Sequence, residues 1–313
     1  MMPRVNKSCL FLLLSVIATV THITADASGQ LQTHQIKHVA DITGDDPGGL
    51  SLPGDVVVVK GRIYVVDGGN HRVVVFDGSG KQLFKFGKQG SERGNFNGPV
   101  GIGADHSDRI YVADRGNNRI QVFNRDGKQL RSITVMDDGN LVRPIDVAAT
   151  PDGSTLFVTG NNNHSVMAFN QKGKLLRKWG GRGAENGKFR YPATIVFTAD
   201  KRVVVVDVLN TRIQLFEQSG KFITSIGGWG VLPGQLVRPK GIVVDKDGRF
   251  LVSDSYMEVV QVFDDAGHFL YVLGDNEKPY RMTSPAGMTI DSDGRLYVAE
   301  MLDNKVSIFE LGR

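Results

Sequence analysis

Arg109-Ile-Tyr-Val-Ala-Asp-Arg-Gly-Asn-Asn-Arg-Ile-Gln-Val-Phe-Asn124 is the stretch on which the fold turns. Two short runs rich in β-branched and aromatic residues flank Asp114-Arg-Gly-Asn-Asn118, a cluster of turn formers, which is the pattern of two strands joined by a tight connection. Val100 to Asp105 precedes the pair and Leu130 to Val135 follows it, so the unit holds four short β-rich runs. Prolines mark its recurrence: Pro53, Pro99, Pro144, Pro192, Pro239 and Pro285 are spaced by 46, 45, 48, 47 and 46 residues. A period of that length over most of a chain signals a repeat architecture.

The third and fourth runs are joined by Ser79-Gly80-Lys81, Asp126-Gly127-Lys128, Lys172-Gly173-Lys174, Ser219-Gly220-Lys221 and Ala266-Gly267-His268. Glycine there can take the positive φ that a hairpin turn demands. Each unit is therefore a four-stranded antiparallel meander. Inner runs such as Val203-Val-Val-Val206 and Gly241-Ile-Val-Val244 are almost continuously apolar, so both faces of each sheet must be covered. Sheets stacked around an axis meet that need, and the expected fold is an all-β, six-bladed β-propeller. The sixth unit supplies only Ala286 to Ile290, Leu296 to Ala299 and Val306 to Phe309. Ile36 to Gly44 reads like the outer run Lys221 to Gly227 and is expected to complete the last blade.

At the junction of second and third strands the chain spells Asp67-Gly-Gly-Asn-His-Arg-Val73, Asp114-Arg-Gly-Asn-Asn-Arg-Ile120 and Asp207-Val-Leu-Asn-Thr-Arg-Ile213. With its Asn-His-Arg core, this pattern resembles the NHL-repeat family over the whole propeller. Blade 3 (Asn161 to Ser165) and blade 5 (Tyr256 to Val259) depart from it. The acids closing the second strands, Asp67, Asp114, Asp207, Asp254 and Glu300, with Thr159 as the exception, precede Arg72, Arg119, Arg212, Val259 and Lys305 by five positions. Asp67, Arg72, Asp114, Arg119, Asp207, Arg212, Glu300 and Lys305 are read as structural repeat positions, the acids bonding to the turn that follows. Asp254 lacks a basic partner and, beside Tyr256, is expected to be free for a ligand.

The first residues carry Arg4 and Lys7, an apolar core from Cys9 to Val20, and Ala25 and Ala27, the layout of a secretory signal peptide cleaved after Ala27. A tail over 28–35 and a single propeller domain over 36–313 would follow, long enough for one large core. The only cysteine, Cys9, would leave with the peptide, so no disulfide is expected. Cleavage also removes Arg4, Lys7 and Asp26 and takes the net charge from +4 to +3, too mild to point to nucleic acid. The expected location is secreted or periplasmic, as a monomer without stable membrane insertion.

The resemblance leaves three functions open. Metal-dependent lyases and lactonases on similar propellers carry ligands near the start of the innermost strands. Here those positions hold Gly54, Val100, Ile145, Ala193, Lys240 and Ala286. None is a metal ligand, and Asp55 and Asp146, one position on, are the only inner-strand acids to retain for catalysis. The histidines show no zinc spacing. Gly180-Gly-Arg-Gly183 and Gly227-Gly-Trp-Gly230 lead into strands, not helices, so they are no phosphate cradles. No catalytic residue, metal or cofactor is expected. RNA binding, known in the family, is disfavoured by export. A protein or peptide partner fits best, held on the face that gathers the second-to-third-strand loops and the blade-to-blade loops. The candidate contacts are Arg115, Arg182, Arg190, Tyr191, Trp229, Arg238, Asp254, Tyr256, Tyr280 and Arg281; arginine and aromatic side chains dominate binding hot spots.

Overall fold

The computed structural model describes residues 31–275 and 278–312, and the signal peptide expected over 1–27 lies outside them. Blades 1 to 5 each run from an inner to an outer strand. In blade 1 the strands are Pro53–Val59, Arg62–Asp67, Arg72–Phe76 and Gln82–Phe86, and in blade 2 Pro99–Ala104, Ile110–Asp114, Arg119–Phe123 and Gln129–Thr134. Blades 3, 4 and 5 open at Pro144–Ala149, Pro192–Phe197 and Pro239–Val244. Each marker proline is thus the first residue of an innermost strand, a position where a missing N–H costs least.

Blade 6 is built from both ends of the chain. Pro285–Ile290, Arg295–Glu300 and Lys305–Leu311 are followed outward by Thr33–Ile42, which pairs antiparallel with the last of them. The closing strand starts earlier than Ile36. Thr33, His34 and Gln35 pair in parallel with Val272, Leu273 and Gly274 on the outer strand of blade 5. The tail expected over 28–35 is therefore, from Thr33 onward, part of the sheet, and it ties two blades where sequence reading placed it in one. His34 shows why: its ring stacks on Tyr271 at 4.7 Å, and its Nε2 lies 3.0 Å from the Gly312 carbonyl.

The hydrophobic core is divided into six clusters, one in each gap between blades. Side chains alternate across a strand. Ile63 and Val65 therefore fill the gap between blades 6 and 1, while Tyr64 and Val66 fill the gap between blades 1 and 2. A run such as Arg62-Ile-Tyr-Val-Val-Asp67 is apolar throughout its middle because neither face meets water. One large core was the expectation; the stacking geometry replaces it with a ring of interleaved small ones.

Candidate functional site

The loops of one face are fixed from below by the repeat residues. Asp67 Oδ1 accepts the N–H of Ser51 at 2.6 Å, and its Oδ2 accepts from Asn70 and, at 2.6 Å, from Arg72 Nε. Asp114 does the same with Asn97 N–H, Asn117, Arg119 and Gln121. Asp207 repeats it with Arg190 N–H, Asn210, Arg212 and Gln214. Each carboxylate is fully buried and fastens the loop arriving from the previous blade. His71 and His164 act alongside: their Nδ1 atoms accept the N–H groups of Gly98 and Tyr191, the residues just before two marker prolines.

Two sequence assignments change here. Strand pairing sets Asp67, Asp114, Asp207, Asp254 and Glu300 opposite the marker prolines, and in blade 3 the residue opposite Pro144 is Gly160, not Thr159. A Cβ on Gly160 would fall 2.1 Å from Asn163 Oδ1, so an amide from the turn occupies the acid's space. Asp254 is not free. It is fully buried and accepts N–H bonds from Val237, Arg238, Tyr256 and Met257, so backbone donors replace the missing base.

The same face opens into a central cavity of about 470 Å³. Gly54, Val100, Ile145, Ala193, Lys240 and Ala286, each following a marker proline, all line it. Asp55 and Asp146, one residue further along their strands, also line the cavity but are largely buried. Asp55 accepts N–H bonds from Val56 and from Ile102 of blade 2, both at 2.9 Å. Asp146 accepts from Val147 at 2.7 Å and from Ile195 of blade 4 at 2.9 Å. The acids thus clip neighbouring blades together. They fit because the preceding blade presents glycine: a Cβ on Gly287 would sit 2.0 Å from Asp55 Oδ1, and one on Gly101 2.3 Å from Asp146 Oδ1. Burial pushes the Asp146 carboxyl up to about 6 despite these donors. Asp55 is raised well above the usual range by burial and by the neighbouring Asp146 charge.

Hydroxyls serve as further clips. Thr159 Oγ1 accepts Asp146 N–H and donates to the Ala193 carbonyl of blade 4, and Ser253 Oγ bonds in the same way to Gly241 N–H and the Ala286 carbonyl. Among the described residues no group of three or more His, Cys, Asp or Glu side chains is placed to hold a metal ion.

Around the cavity, Arg115, Arg182, Arg190 and Arg238 are exposed and make no ion pair among the described residues, unlike Arg72, Arg119 and Arg212. Tyr191 and Arg238 reach the cavity wall, and the Tyr191 ring meets His164 edge-on at 5.0 Å. Trp229 is 79% exposed and Tyr256 63%. Arg281 is exposed but donates to the Met257 carbonyl. Tyr280 belongs elsewhere: its ring packs on Phe309 at 5.0 Å and near His38, against the core between blades 5 and 6. It is structural because the closing strand brings His38 over it. Leu209, Val231 and Leu232, which no sequence motif singles out, are also exposed on this face. Their signal was comparative, since Val231-Leu-Pro233 occupies the loop position that holds Ser91-Glu-Arg93 between blades 1 and 2.

The NHL repeat model matches residues 50–76 and 96–123, and a model described as a 6-bladed beta-propeller matches 185–269. Among solved structures, virginiamycin B lyase from Staphylococcus aureus with quinupristin is 14% identical, with a TM-score of 0.63 over 88% of this chain and 99% of that one. A gluconolactonase from Xanthomonas campestris is 15% identical, with a TM-score of 0.65 over 88% and 99%. A protein of unknown function from Bacteroides thetaiotaomicron reaches 0.70 at 11% identity, over 90% of this chain and 73% of that one. No curated protein matches the sequence at a significant level. At these identities the likeness is one of fold.

Proposed function

We propose that this six-bladed propeller carrying NHL repeats is an exported binding module that holds a protein or peptide partner on its loop face. The observation that carries the reading is the contrast between the two faces. On the loop face, Leu209, Trp229, Val231, Leu232, Tyr256 and Leu302 are exposed alongside Arg115, Arg182, Arg190 and Arg238, which make no ion pair among the described residues. On the opposite face the turns close on themselves, with Asp77, Asn124, Asn170, Asp245 and Asp291 each accepting N–H bonds from their own hairpin. Exposed aromatic and apolar groups interspersed with arginine suit a partner interface; self-satisfied turns do not.

A second reading, a channel enzyme, draws on one feature. The Asp146 carboxyl, near the cavity and held at about 6, lies in the range useful for proton transfer. Both its oxygens already accept backbone N–H bonds, which makes clipping the blades its better supported role.

Affinity capture from the native extracellular or periplasmic fraction tests the choice, using the protein beside a variant with Arg182, Arg190 and Trp229 changed to alanine. A partner held by the first and lost by an equally stable second supports loop-face binding. Equal capture by both sinks it, and turnover of a lactone that disappears in Asp146→Asn would favour the enzyme.

A further inference from the structure

Lys240 is the only charged member of the ring that follows the marker prolines, and the remainder of that ring is glycine or apolar. Its ammonium has no hydrogen-bond or ion-pair partner among the described residues. Arg238 lines the same wall and its guanidinium has none either. Asp55 and Asp146 line the same cavity but form no ion pair with Lys240 or Arg238; their oxygens accept N–H groups across the boundaries between blades 1 and 2 and between blades 3 and 4, and burial pushes both carboxyls toward the neutral form. Lys240 is partly buried in the cavity wall while Arg238 is exposed at its rim, so the desolvation cost falls on the Lys240 ammonium, and a carboxylate between the two would form charge-assisted hydrogen bonds with both.

We propose that the central cavity binds the carboxylate end of an apolar ligand, Lys240 and Arg238 taking the carboxylate and Val100, Ile145, Ala193 and Ala286 the adjoining apolar group. This rests on the loop-face binding reading and names the chemistry of what enters the face at its centre. Burial and the charge of Arg238 hold the Lys240 ammonium below the ordinary lysine value, and a bound carboxylate would reverse that shift. The cavity's 470 Å³ falls within the size of sites for small organic ligands. The carboxylate could belong to a free acid or to the terminus of a chain.

Calorimetric titration at neutral pH and low salt separates these sources, with 4-phenylbutyrate, N-acetyl-Leu-Phe and the amide of N-acetyl-Leu-Phe as probes. Both acids should bind the protein, and the amide at least about tenfold more weakly, the range for a hydrogen bond to a charged group. Tighter binding of the dipeptide acid assigns the site to a chain terminus; tighter 4-phenylbutyrate assigns it to a free acid. Lys240→Met should lose about tenfold without a fall in melting temperature, and Lys240→Arg should retain binding. Equal affinity for acid and amide, or an undiminished Lys240→Met, overturns the carboxylate site. If no probe binds while partner capture still depends on Arg182, Arg190 and Trp229, the cavity inference falls and loop-face binding stands. If capture is equally indifferent to those residues, both fall.

Discussion

Thr211 sits at φ 54°, in the left-handed region, at the turn position where blades 1, 2 and 6 place His71, Asn118 and Asn304. A β-branched residue is strained there, whereas asparagine adopts it readily. Thr211→Asn should therefore stabilise the protein by about 0.5–1 kcal/mol, read as a rise of about 1–3 °C in melting temperature. Asp146 gives a residue-scale effect of the other kind. Burial holds its folded-state pKa above the unfolded value of about 4, so the native state binds that proton more tightly. The resulting stability is fully present below the unfolded pKa and is lost as pH rises through about 6. Relative to Asp146→Asn, the parent protein should lose about 2 kcal/mol between pH about 4 and pH about 7 in urea titrations. A constant difference over that interval would mean that the carboxyl is charged throughout.

At the scale of the element, the inner strands are matched in pairs. The acid of blade 3 needs the glycine of blade 2, and the acid of blade 1 needs that of blade 6. Gly101 has an ordinary negative φ, so its replacement tests close approach alone. In Gly101→Ala the new methyl would meet both Asp146 and the Ile145 carbonyl, 2.6 Å away, and overpacking of this kind costs about 1–3 kcal/mol. Denaturant unfolding of Gly101→Ala beside Gly294→Ala, whose glycine lies in an open turn but at φ 82°, should show the larger loss at Gly101 together with a lowered Asp146–Ile195 amide protection, which the turn variant leaves unchanged.

The blade count, the four-strand plan and the closing strand were all legible in the sequence, because proline and glycine punctuate each unit and the apolar runs repeat with it. The inner-strand clips were not. Thr159, Ser253 and Thr194 look like ordinary strand residues until the next blade's carbonyls are set beside them. Counting along the chain also placed Thr159 where pairing puts Gly160, since one position in a strand moves a side chain to the other face. Lys240 stands out in the ring by its charge, which rules it out as a metal ligand but does not by itself show what it binds. Its lack of an ion-pair partner among the described residues is a fact of three dimensions. Asp254 misled for the same reason: a missing basic neighbour in sequence says nothing of four backbone donors in space.

For the whole molecule, stability depends on closing the ring. Thr33–Ile42 buries Ile36 and Ile42 and covers an edge of blade 6 that would otherwise offer unpaired N–H and C=O groups. Burying two isoleucines contributes about 3–6 kcal/mol, so removal of residues 1–42 should lower the melting temperature by about 10 °C or more and promote aggregation at the exposed edge. An unchanged melting curve would show that three strands suffice for the sixth blade.

The closing strand also sets a timetable for folding. Thr33 Oγ1 bonds to the Asp275 carbonyl and His34 to that of Gly312, partners 242 and 278 positions away. The first of these segments to leave the ribosome must therefore wait for the last, and contacts so distant in sequence make for slow assembly. Since His34 and Gly312 touch, the chain can be recut: joining 312 to 33 and opening it between 43 and 50 would make the sixth blade a continuous hairpin series. Such a circular permutant should reach the same ring sooner, its refolding traces lacking the delay imposed by a clasp made first and fastened last.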